Sequence, residues 1–96
     1  MVSRLNPGEV FASDFEVQAV IGTGSMGIVY RAKQVSSGQV VALKLMHPAL
    51  SADAKAVHRF EREARALMSV HSRHVARVLD TGCDEISGRR WMAMDL

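Results

Sequence analysis

The sequence predicts an α+β domain, with a five-stranded antiparallel sheet and one main helix between the third and fourth strands. Three observations predict it. Short β-forming runs separated by glycine turns fill the chain before residue 47. One long stretch with the apolar period of a helix follows, and two further β-forming runs close the sequence.

Each element has its own signal. Residues 1–14, with the turn Asn6-Pro7-Gly8, read as an N-terminal leader, and 15–96 as the domain. Phe15 to Ile21 places apolar residues at 15, 17, 19 and 21, the alternation of a half-buried strand. Gly27 to Val35 is rich in β-formers, and Ser36-Ser37-Gly38-Gln39 is a hairpin turn. Val40 to Met46 is apolar enough for a central strand, and His47-Pro48 ends it, because proline lacks the donor a ladder needs. Ser51 is the expected N-cap of a helix over about 52–70, with Asp53 in its first turn and Val57, Phe60, Ala64, Leu67 and Met68 on its buried face. Val75 to Thr81 and Arg90 to Leu96 read as the last two strands, antiparallel through the connection Cys83–Gly88.

Composition narrows the function. The chain has 96 residues, 48% hydrophobic and 23% charged, a globular balance for one small domain. A net charge of +2 with interspersed signs argues against nucleic acid or an anionic membrane as partner. Cys83 is the single cysteine, which excludes an intramolecular disulfide and fits a reducing compartment. No apolar run approaches the roughly 20 residues of a membrane helix, and 1–10 lack a signal-peptide core. The expected location is cytoplasmic. His47, His58, His71 and His74 show no metal-ligand spacing and read as surface or loop residues, and Trp91 as a packing residue.

The chemistry lies in Gly22-Thr23-Gly24-Ser25-Met26-Gly27-Ile28-Val29, a G-x-G-x-x-G-x-V loop, and in Val41-Ala42-Leu43-Lys44. The glycines permit positive φ and leave backbone N–H groups free to approach phosphate oxygens. A dinucleotide-binding fingerprint would need a helix opening at the glycines. Here Ile28-Val29-Tyr30 reads as strand, which leaves a phosphate-covering loop between strands or an ordinary glycine-rich hairpin. Lys44 lies in an apolar run and needs an anionic partner. It shares a strand face with Ala42. Glu63 shares a helix face with Phe60 and Leu67, so it borders the apolar stripe and supplies a carboxylate for an interior ion pair. The alternative is a solvated carboxylate beside Arg59 or Arg62.

These residues resemble the protein kinase family, specifically the smaller, N-terminal lobe of a bacterial, eukaryotic-like serine/threonine kinase, from about Phe15 to Leu96. His74 to Gly82 is similar to the family's fourth strand, and Met92 to Leu96 to the fifth strand and hinge; Ser72-Arg73 departs from the family's usual His-Pro. The resemblance implies ATP as ligand, with Mg²⁺ held by residues of the larger lobe. The amides of Gly22, Thr23, Gly24, Ser25, Met26 and Gly27 would cover the phosphates. Lys44 would meet the α- and β-phosphates and pair with Glu63. Ile21, Val29 and Ala42 would roof the adenine, Met94 would be the gatekeeper, and Asp95 and Leu96 would begin the hinge. The family's H-R-D-x-x-x-x-N and D-F-G segments do not occur in these residues. Asp80-Thr81-Gly82 is not their counterpart, since it ends the fourth strand and lacks the aromatic. The 96 residues alone are therefore expected to be inactive. Three readings stand: the ATP-binding lobe of a kinase whose larger lobe takes a protein substrate, a stand-alone lobe that regulates or dimerises with a kinase partner, and an unrelated β-rich domain.

Overall fold

The computed structural model describes residues 4–69, 74 and 76–96. Its strands are β1 (Val10–Phe11), β2 (Phe15–Thr23), β3 (Gly27–Gln34), β4 (Val40–Met46), β5 (Val78–Cys83) and β6 (Arg90–Met94), and its helix is α1 (Ala54–Met68). They form one antiparallel sheet of six strands in the order β1-β2-β3-β4-β6-β5. The expected count of five is corrected to six. The added strand is the two-residue β1, drawn from the stretch read as a leader. Phe11 is buried there, Leu5 packs on the same cluster, and the Leu5 amide donates to the Tyr30 hydroxyl at 2.9 Å.

The sheet separates two apolar clusters, and β4 feeds both. Alternate residues of a strand face opposite ways. Val41, Leu43 and Leu45 enter a cluster with Phe15, Val17, Ile28, Tyr30 and Ala93. Met46 enters the other, with Val78, Met92 and the helix residues Ala56, Phe60 and Ala64. Leu43, Leu45 and Met46 are each 0% exposed. This two-sided burial explains why the run reads as nearly continuous apolar sequence. Helix α1 packs on β5 and β6, and Arg90 of β6 ties to Glu61 of the helix at 3.2 Å.

Several boundaries differ from expectation. The N-cap is Asp53, whose carboxylate accepts from the amides of Lys55 and Ala56 at 3.0 and 3.3 Å; Ser51 does not cap. Pro48 opens a single 3-10 turn over Pro48–Leu50, and the Ser51 amide closes on the Pro48 carbonyl, so the helix starts two residues later. A carboxylate is also favoured over a hydroxyl at the positive end of the helix dipole. Along β2, Phe15 and Val17 are buried, but Ala19 and Ile21 are exposed. Register shifts between Val17 and Ala19 and between Val20 and Gly22 break the alternation. Strand β3 ends at Gln34, β5 runs to Cys83, and β6 ends at Met94 rather than Leu96. The expected helix end at Val70, the strand start at Val75, His71 and the Ser72-Arg73 departure lie outside the described residues.

Two polar anchors hold the edges. Arg89, 4% exposed, donates from Nε to the carbonyl of Met46 at 3.0 Å and so fastens the end of β4. Burial pushes its guanidinium below the ordinary value, opposed by Tyr30 and Asp84. Asp14 joins the β1–β2 turn to the β3–β4 hairpin. It accepts from the Ser36 amide at 2.9 Å, the Ser36 hydroxyl at 2.8 Å and the Gln34 side-chain amide at 3.0 Å.

The hydrogen bonds from Ser36, the backbone amide first, hold the Asp14 carboxyl below its ordinary value of 3.8. A group depressed on folding contributes stability above its unfolded pKa and loses it as pH falls through its folded pKa. The stability difference between the native chain and Asp14→Ala is therefore constant around neutral pH and shrinks on acidification below 3.8. Urea unfolding at stepped pH checks this; a difference that grows on acidification would contradict it.

Candidate functional site

Strands β2 and β3 run together through Gly22↔Val29 and Thr23↔Ile28, and the chain reverses through Gly24-Ser25-Met26. The Gly24 amide donates to the Gly27 carbonyl at 2.9 Å and closes the turn. A pocket of about 320 Å³ lies against this loop, lined by residues 22–27, Val29 and Lys44.

The loop glycines do not use the positive φ expected of them. Gly22, Gly24 and Gly27 are not in the left-handed region; the positive-φ glycines are Gly8, Gly38 and Gly88. Gly27 is required by packing. A Cβ there would lie 1.9 Å from the carbonyl oxygen of Leu45, because β3 begins directly against β4. At Gly24 a Cβ would meet nothing within 4 Å.

Lys44 reaches the pocket by register. It is paired with Val29 on one side and Met92 on the other, so its side chain shares their face of the sheet, the face that carries α1. Glu63 lies on α1 between the buried residues Phe60 and Ala64. The Lys44 ammonium donates to the Glu63 carboxylate at 3.2 Å. The side chains are 24% and 51% exposed, so the pair stands at the open rim of the pocket rather than in the interior. A pair so exposed contributes no more than about 1 kcal/mol to folding. It orients Lys44; it does not hold the fold together. Arg59 and Arg62 instead share a helix face with Lys55 and His58 along a separate shallow pocket.

The other expected site residues are placed as follows. Ala42 is paired with Met94 two residue pairs along from Lys44, and Met94 packs against the helix-side cluster. Ile21 is half-exposed and does not line the pocket beside the loop. Asp95 and Leu96 are exposed beyond the end of β6, and the Asp95 amide donates to the Arg77 carbonyl at 3.0 Å. Trp91 packs edge-on against Phe15 with ring centroids 5.0 Å apart. It also covers Gly82, where a Cβ would fall 2.9 Å from the indole ring.

One contact was not expected. The His47 amide donates to the Met26 carbonyl at 2.9 Å, and its ring Nε2 lies 2.8 Å from the Gly24 carbonyl oxygen. The chain leaving β4 therefore grips the loop. A histidine three residues after Lys44 was the available signal, but the partner lies 23 residues earlier and no local pattern points to it.

This arrangement matches solved and curated proteins. The PknI kinase domain of Mycobacterium tuberculosis, a crystal structure, superposes over 97% of the chain with a TM-score of 0.76 and 31% identity; the chain covers 36% of that domain. The fold is the N-terminal lobe of a protein kinase. Sequence relatives agree. Serine/threonine-protein kinase pkn3 of Myxococcus xanthus is 40% identical over 92% of the chain, and PknF of Mycobacterium tuberculosis is 37% identical over 95%. The chain spans 16% and 18% of the lengths of these two relatives. No family model matches. Among the described residues, no helix of the lobe is long and apolar enough to cross a membrane.

The packing role of Gly27 gives a direct contrast. Gly27→Ala destabilises the lobe by on the order of 3 kcal/mol, whereas Gly24→Ala changes stability by less than about 0.5 kcal/mol. Urea midpoints of the two variants check this; equal midpoints would contradict it.

Proposed function

We propose that this kinase lobe binds ATP between its glycine loop and Lys44 and that, in a polypeptide that also carries the larger lobe, it serves phosphoryl transfer from Mg-ATP to protein serine or threonine. The observation that carries this reading is one open pocket lined by the loop and by Lys44, with Glu63 holding Lys44 at 3.2 Å. A cation at 3.2 Å from a carboxylate is held by it, yet at a partly exposed rim it remains able to meet a phosphate oxygen. The loop offers backbone N–H groups, which favour anions without adding charge.

The roles follow from position. Lys44 contacts the α- and β-phosphates, and Glu63 orients it. Residues 22–27 cover the phosphates. Val29 and Ala42, on the face that carries Lys44, pack on the adenine, with Ile21 closing over its outer edge. Ala42 leaves the space that a larger side chain would fill. Met94 borders the back of the pocket. Because the Asp95 amide is taken by Arg77, the adenine edge meets the Asp95 carbonyl, with Leu96 continuing the hinge. Mg²⁺ would be held by residues of the larger lobe together with the phosphates, and would neutralise the charge that develops during transfer. Serine or threonine as the acceptor accords with the relatives, which are serine/threonine-protein kinases.

The test uses the 96-residue chain. It binds ATP, Lys44→Met abolishes the binding, and neither form transfers phosphate to protein. Calorimetry with ATP and a radiolabelled transfer assay read these outcomes. ATP binding unchanged in Lys44→Met would overturn the site. Turnover by the chain that disappears in Lys44→Met would overturn its expected inactivity.

A further inference from the structure

We infer that His47 is a positioning residue for the glycine loop, turning the loop's peptide groups so that their amides, not their carbonyls, face bound phosphate. This deepens the ATP-binding reading and rests on it. His47 bonds two loop carbonyls: its backbone amide takes that of Met26 at 2.9 Å, and its ring Nε2 takes that of Gly24 at 2.8 Å. It lies outside the residues that line the loop's pocket. Both carbonyl oxygens are therefore committed to a residue outside that lining.

Peptide geometry sets the consequence. The peptide bonds of the described residues are trans, and in a trans peptide the N–H points opposite to the C=O. Binding the Gly24 carbonyl to His47 turns the Ser25 N–H the other way. Binding the Met26 carbonyl does the same for the Gly27 N–H. Ser25 and Gly27 both line the pocket. Without these bonds each peptide could flip and present a carbonyl oxygen, which repels phosphate. Gly24, with no Cβ and open space around it, gives that peptide little resistance to flipping. The Met26 bond is made by backbone and extends the β3–β4 ladder past Gly27↔Met46, so any residue but proline at 47 supplies it. The Gly24 bond depends on the imidazole. A carbonyl only accepts, so Nε2 carries the proton in this contact.

The experiment compares the native chain with His47→Ala and His47→Gln, whose amide can donate from a similar reach. Backbone ¹⁵N relaxation without nucleotide reads the grip itself. The order parameter of the Ser25 amide is about 0.85 in the native chain, below about 0.6 in His47→Ala, and restored in His47→Gln. Affinities for ATP and adenosine then read the consequence. His47→Ala weakens ATP by roughly three- to tenfold, the range of one net hydrogen bond, and leaves adenosine unchanged. A loss shared equally by both ligands, or an unchanged Ser25 order parameter, overturns the inference. If the native chain binds neither ligand, the ATP-binding reading fails and the positioning role with it, while the relaxation arm still decides whether the grip exists.

Discussion

Everything in this lobe depends on β4 being buried on both faces. The strand Val40–Met46 supplies Val41, Leu43 and Leu45 to one apolar cluster and Met46 to the other. Burial is worth roughly 25 cal/mol for each Å² of apolar surface, and Leu43, Leu45 and Met46 of this strand are fully buried. The same strand carries Lys44. A cation inserted into such a run has one place to go, the open end of the helix-side face, where Glu63 meets it at 3.2 Å. The stability of the fold and the placement of the charge follow from one constraint.

The glycine loop inherits its position from the same strand. Gly27 lies so close to the Leu45 carbonyl that no side chain is tolerated, and His47, the first residue past β4, bonds the loop twice. The loop is thereby tied to β4 at its base and at its turn. Arg89 fastens the last residue of β4 through the Met46 carbonyl, so the strand end that organises the loop is itself anchored by a buried cation. Helix α1 brings Glu63 from the other side through Phe60 and Ala64 packed beneath it. A pocket that is open to solvent is in this way framed by groups whose backbones are held by the core.

How much of this was legible in the sequence varied with the range of the interaction. The apolar run of β4, the hairpin at Ser36-Ser37-Gly38-Gln39 and the period of α1 are local patterns, and each marked its element. The faces of Ala42, Lys44 and Glu63 followed from strand and helix periods, which is why the ion pair could be anticipated. Its exposure could not, because burial depends on what surrounds the pair. Strand β1 has two residues, too few for any periodicity, and is held by Phe11 and by pairing with β2. The shifts in β2 exposed Ala19 and Ile21 against their alternation, and a bulge leaves no reliable mark in composition. Ser51 and Asp53 are both good caps, and the 3-10 turn at Pro48 decided between them. The contacts of Arg89 with Met46 and of His47 with Gly24 join residues 43 and 23 positions apart, beyond any local pattern.

The most direct test of the central claim is an amide chemical-shift map of the ¹⁵N-labelled chain titrated with ATP. The account predicts saturable shifts concentrated in residues 22–27, Val29 and Lys44, with none on the opposite face of the sheet around Tyr30 and Trp91. Shifts absent from the loop, or centred on the helix surface of Lys55, His58, Arg59 and Arg62, would contradict it.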